Sequence, residues 1–146
     1  MKTRVLDARV IIGGKASGEA LVSRQPFNFT AALTKPVNLL PHRKAEVADT
    51  HHELYRSNLD GKIMVIPSCI GSTHTGLVLL DLVSRATGPA ALIVQKADSL
   101  LVSGVILSEV WFDRSIPVLE YPEEDLFDQV RTGDRVTIDG GRVEIG

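Results

Sequence analysis

The chain of 146 residues has a single cysteine, Cys69. That excludes an internal disulfide, and it excludes an iron–sulfur cluster held by this chain alone, because such clusters take three or four thiolates. No apolar run approaches the roughly 18 residues that a membrane-spanning helix needs. Met1-Lys2-Thr3-Arg4-Val5-Leu6-Asp7 opens with basic residues but has no apolar stretch behind them, so a signal peptide is not expected and the cytoplasm is the expected compartment. Charge of one sign is also missing. The 16 Lys and Arg against 18 Asp and Glu leave a net charge of −2, scattered without a basic stripe, which removes the electrostatic footprint of a nucleic-acid binder. There is no internal repeat, heptad or low-complexity segment.

What remains is an ordinary globular composition, 44% hydrophobic and 23% charged, of a length that suits one domain spanning residues 1–146. Arg4 to Ile12 mixes β-branched and polar residues and meets Gly13-Gly14, which predicts one strand and a turn. Glu19–Ser23 predicts a second short strand, stopped by Pro26. From Pro26 to about Asp60 the pattern breaks down, and a long irregular excursion of this kind is usually functional or mobile. Ile63-Met64-Val65-Ile66 and Ala90-Ala91-Leu92-Ile93-Val94 are continuous apolar runs of buried-strand type. Between them Ser72 to about Ala86 predicts a helix, stopped by Thr87-Gly88-Pro89 and largely buried, since Leu77, Val78, Leu79, Leu80, Leu82 and Val83 cover most of its circumference. Asp98 opens a second helix to about Glu109, weakened by Gly104. Ile116–Leu119 is a short strand and Pro122–Val130 a small helix. Arg135–Ile138 and Arg142–Ile145 alternate on either side of Asp139-Gly140-Gly141, a hairpin. Strands at both ends around a β-α-β-α-β middle predict a mixed α/β domain, with a barrel-like sheet and helices packed on it.

Chemistry concentrates at Ile66-Pro67-Ser68-Cys69-Ile70-Gly71-Ser72-Thr73-His74-Thr75-Gly76. A buried strand ends, a glycine turn follows, and a helix starts at a serine. Unpaired N–H groups at a helix start carry partial positive charge and can bind a carboxylate or stabilise a deprotonated oxygen. Ser72 is equally an ideal N-cap that needs no function. His74 is a proton shuttle or a solvent-facing side chain, and pattern does not decide. Cys69 reads as a small buried hydrophobe. Gly13-x-x-x-x-Gly18 lacks the Lys-Ser/Thr of a phosphate loop and is read as a turn. His51-His52-Glu53 is no metal site, because adjacent side chains diverge on any regular element, and a solvated loop or strand edge is expected there.

At this segment the chain resembles the aconitase X family, specifically its swivel domain. Gly14–Ser23 resembles the family's opening strand-turn-strand, and His52-Glu53-Leu54-Tyr55 and Gly61–Val65 its middle. Pro67 and Gly71-Ser72-Thr73 resemble its serine motif, and Gly88–Ile93 and Ile116–Leu119 the strands that follow. The resemblance implies an α/β fold of the swivelling β/β/α type and a dehydratase that removes water from a small hydroxy acid. It implies Ser72 as proton acceptor, with Gly71, Thr73 and His74 around the substrate. It also implies that this chain binds no cofactor or metal, and that a large partner subunit carries the iron–sulfur cluster on its own cysteines. The family's substrates are cis-3-hydroxy-L-proline and mevalonate 5-phosphate.

The chain departs from the family pattern in two places. Phe27-Asn28-Phe29-Thr30-Ala31-Ala32 replaces a Phe-Trp-Gly-Gly stretch, and Ile70 stands where a basic residue is usual. Without that cation a phosphorylated substrate lacks a charge-assisted partner, so cis-3-hydroxy-L-proline is the expected substrate. A non-catalytic binding or regulatory domain on the same fold is the rival reading.

Overall fold

A computed structural model describes residues 3–29, 46–70 and 75–146. Its strands are β1 (Arg4–Asp7), β2 (Arg9–Ile12), β3 (Lys15–Val22), β4 (Ile63–Ile66), β5 (Ala91–Val94), β6 (Val118–Glu120), β7 (Arg135–Asp139) and β8 (Arg142–Ile145). The helices are α1 (Thr75–Ser84), α2 (Ser99–Phe112) and the single turn α3 (Leu126–Gln129). All eight strands join one sheet in the order β1-β8-β7-β3-β4-β5-β6-β2.

That order explains the first difference from the sequence expectation. Arg4–Ile12 is two strands, not one, and they occupy opposite edges of the sheet. β1 runs antiparallel to β8 and β2 antiparallel to β6, with Ala8 alone between them. The Ala8 amide leaves the strand direction to donate to the Gly141 carbonyl at 2.8 Å. Because the two edge strands are consecutive in the chain, the sheet curls towards itself and becomes barrel-like. β3 is longer than its apolar pattern indicated and joins the two halves. Its first part pairs antiparallel with β7, from Lys15↔Asp139 to Glu19↔Arg135, and its end pairs parallel with β4, from Ala20↔Ile63 to Val22↔Val65.

Strict alternation sorts the buried strands between two cores. Ile63, Val65, Ala91 and Ile93 point with Val136, Ile138, Val143 and Ile145 into the curl of the sheet, where Leu126 of α3 closes it. Met64, Ile66, Leu92 and Val94 point outward and are covered by Leu79, Leu82 and Val83 of α1 and by Leu101 and Val105 of α2. The described part of the irregular excursion completes that outer layer: Phe27, Phe29, Val47 and Leu59 are all 0% exposed. It is therefore packed structure, with backbone groups satisfied by bonds such as Val47 N–H to Ser57 O at 2.9 Å.

α1 is less buried than its composition suggested. Thr75, Leu79, Leu82 and Val83 are buried, but Leu77 is 60% exposed, because sheet and α2 together cover only part of the circumference. Gly104, which weakens a helix in isolation, sits where α2 crosses α1. A Cβ there would lie 2.9 Å from the Gly76 Cα, and a Cβ on Gly76 would lie 2.9 Å from the Leu100 carbonyl oxygen. The glycine pair lets the two backbones touch. Asp98 caps α2 by accepting the Leu101 N–H at 2.9 Å, and α2 continues past the expected Glu109 to Phe112. The small C-terminal helix shrinks to Leu126–Gln129. The hairpin falls as expected, with Asp139 paired to Arg142 and Gly140 at φ 61° in the turn. No described helix is long and apolar enough to cross a membrane.

Candidate functional site

Strands β3, β4, β5 and β6 run parallel, so the connections leaving their carboxyl ends share one rim, where open α/β sheets place ligand sites. Four segments meet there: Ser23–Phe29 after β3, Pro67–Ile70 after β4, Gln95–Asp98 after β5 and Tyr121–Asp125 after β6. Gly71, Ser72, Thr73 and His74 belong to the β4–α1 connection and lie outside the described residues, as does the helix start that Ser72 is expected to cap. The chain on either side of them is described, and it is tightly held.

On the incoming side, the Pro67 carbonyl accepts both the Gln95 and the Lys96 amides at 3.1 Å. Phe27 bridges Cys69 in parallel register, donating its N–H to Ser68 O and accepting the Ile70 N–H on its own carbonyl, each at 3.0 Å. The β3–β4 pairing thus resumes beyond the strand ends and runs to the residue before Gly71. On the outgoing side, Thr75 is buried at the start of α1 and Gly76 is locked against α2.

Phe27 is itself held by the segment around His52. The His52 ring meets the Phe27 ring edge-on with centroids 5.2 Å apart. Its Nε2 lies 3.1 Å from the Pro26 carbonyl, and its Nδ1 accepts the Leu54 N–H at 3.0 Å. Glu53 accepts from the Ser23 hydroxyl and from the Arg24 N–H, the latter at 3.0 Å, and its own N–H donates to Gln25 Oε1 at 2.9 Å. His51 points to solvent. These three side chains turn to different partners, His52 to Pro26 and Phe27 and Glu53 to Ser23 and Arg24. They sit in an exposed turn, in keeping with the solvated loop expected there, but their role as a clamp on Ser23–Phe27 left no trace in the sequence pattern. Nothing local marks a contact between positions 26 apart.

Cys69 is buried and packs in the outer core with Phe27. Burial pushes its thiol well above the ordinary range, and the nearby Asp98 carboxylate adds to the effect. A thiol that resists ionisation is a poor cluster ligand. Among the described residues no three His, Cys, Asp or Glu side chains gather as a metal site, so the described donor set does not fit an iron–sulfur cluster. Ile70, in place of the usual basic residue, is 52% exposed. With Leu77 it leaves an apolar side chain in the open on each side of the serine motif. A cavity of about 450 Å³, lined by Arg24, Glu53, Asp128, Arg131 and Thr132, opens near the end of β3. Arg24 is already paired there with Asp128 at 3.2 Å.

Comparison with known proteins agrees with this fold. The family model for the aconitase X swivel domain matches residues 5–145. The phosphomevalonate dehydratase small subunit of Methanopyrus kandleri is 35% identical over 87% of this chain and 85% of its own length. The cis-3-hydroxy-L-proline dehydratase of Pseudomonas aeruginosa is 32% identical over 94% of this chain, which spans 22% of that longer protein. The crystal structure of Thermococcus kodakaraensis aconitase X in its holo form superposes with a TM-score of 0.80 at 31% identity, over 98% of each chain.

Proposed function

Because the chain belongs to the aconitase X swivel domain family, whose relatives here are dehydratases and dehydratase small subunits, we propose that it supplies the proton acceptor, Ser72, to a dehydratase completed by a large subunit. The observation that carries this reading is the rim at the carboxyl ends of β3–β6. Phe27 and the Gln95–Lys96 connection hold Pro67–Ile70 from both sides, and the described part of α1, Thr75–Ser84, follows the serine motif in sequence.

The reaction in this reading is loss of water from a small hydroxy acid. The deprotonated Ser72 oxygen takes a proton beside the carboxylate, the electron pair of the broken C–H bond forms the C=C bond, and the C–O bond breaks. The departing hydroxide takes up a proton, which Ser72 resupplies in regenerating its base, so that water is the net product. A serine oxygen is a useful base only in a positive environment. The N-terminal end of α1 carries that sign, and Lys96, on the connection bonded to Pro67, is a cation on the same rim. Gly71, Thr73 and His74 are assigned to the substrate. The iron–sulfur cluster is assigned to the large subunit, where it would supply Lewis acidity to the leaving hydroxyl.

The substrate assigned first is cis-3-hydroxy-L-proline, supported by Ile70, which removes a cation that a phosphate needs. Mevalonate 5-phosphate is the second reading, favoured by the phosphomevalonate dehydratase small subunits among its relatives. Co-expression with a large aconitase X-type subunit, followed by dehydration assays on both acids, tests the proposal. Turnover of either acid by the complex, and by neither subunit alone, is expected. A complex inactive on both, or turnover by this chain alone, contradicts it.

A further inference from the structure

We propose that His52 is a positioning residue for the serine motif, an inference that rests on the assignment of Ser72 above. The hydrogen bonds fix the imidazole in one form. Nδ1 accepts the Leu54 N–H and therefore carries no proton, while Nε2 faces the Pro26 carbonyl and therefore carries one. The neutral ring so oriented ties the Pro26 carbonyl and braces the Phe27 ring. The Phe27 backbone in turn forms both bonds that hold Ser68 and Ile70. A chain of contacts thus runs from His52 through Pro26 and Phe27 to Ile70, the last described residue before Gly71. Glu53, bonded to Ser23 and Arg24, anchors the same clamp one residue along. Positional errors of about 1 Å at a reacting group can cost about 100-fold in rate, so a brace on the approach to Ser72 has kinetic consequences without touching substrate.

Two substitutions separate the two ends of the ring. His52→Asn keeps an acceptor for the Leu54 N–H, as an Asx turn does, but is too short to reach Pro26. His52→Gln puts an amide N–H near the position of Nε2 and restores that bond. Both are measured in the complex with the large subunit, alongside Ser72→Ala. Hydrogen exchange at the Ile70 amide is followed in the same samples, with Met64 in β4 as the reference amide.

In His52→Asn, Ile70 exchange is expected to rise about fivefold to tenfold, the range that one hydrogen bond of ordinary net strength supports. Met64 exchange should not change, and kcat should fall about tenfold with KM little altered. His52→Gln should recover most of both losses. Unchanged Ile70 exchange in the Asn variant overturns the proposal, as does parent-level kcat there while Ser72→Ala is inactive. Equal acceleration at Ile70 and Met64 also overturns it, since that marks general destabilisation. Full turnover in Ser72→Ala instead overturns the Ser72 assignment and with it the kinetic role of His52, and is told apart by that variant alone.

Discussion

Cys69 shows how a residue's environment decides its chemistry. The chain has one thiol, close to the serine motif, and one thiol is too few to hold a cluster alone. Its burial behind Phe27 was legible only as a tendency of the residue type. Because burial raises the thiol pKa in the folded chain, the sign of its pH effect follows. Above the ordinary thiol value of about 8.5 the unfolded chain loses a proton that the native chain keeps. The native contribution is thus fully present below that pH and declines as pH rises, by up to about 1.4 kcal/mol per pH unit. Urea unfolding at pH 8 and pH 10 should show this decline, and Cys69→Ala should remove that part of it. The same variant should leave the iron content and turnover of the assembled enzyme unchanged. Loss of iron on that substitution would contradict the assignment of the cluster to the large subunit.

Elements with a strong period were legible and those shaped by topology were not. The C-terminal hairpin announces itself by alternation around Gly140-Gly141, and β4 and β5 by unbroken apolar runs. The division of Arg4–Ile12 was hidden because no glycine or proline marks Ala8. The break exists only because the two halves pair with opposite edges of the sheet. Gly104 looked like a flaw in α2 and is the place where α2 touches Gly76 of α1. Gly104→Ala forces those backbones apart and should destabilise the chain by about 1–3 kcal/mol, the usual range for overpacking, read as a lowered urea midpoint. Asp98→Ala, which removes the N-cap of α2, should cost about 1 kcal/mol. A Gly104→Ala protein as stable as the parent would mean that the helices can separate freely.

The whole molecule is a curled sheet with two cores, one inside the curl and one under α1 and α2, and its parallel strands present one rim. The family resemblance carried the expectation of a partner, while composition could not, because the relevant apolar residues are few and scattered in the sequence. Ile70 and Leu77 are 52% and 60% exposed, and neither is needed by the described core. Ile70→Asp and Leu77→Asp should therefore leave thermal stability close to that of the parent. Each should weaken association with the large subunit by about tenfold, in keeping with loss of a buried apolar contact. Parent-like affinity in both variants would place the interface elsewhere. The strand before the serine motif and the helix after it were legible, but whether Ser72 caps or reacts was not, since both uses ask for the same residue in the same place. Ser72→Ala and Ser72→Asp in the assembled enzyme separate them. Aspartate caps a helix about as well as serine but sets a fixed negative charge where the substrate carboxylate is expected. If Ser72 is the proton acceptor, both variants assemble and kcat falls at least about 100-fold. Near-parent turnover in both would contradict the account and leave Ser72 as a cap alone.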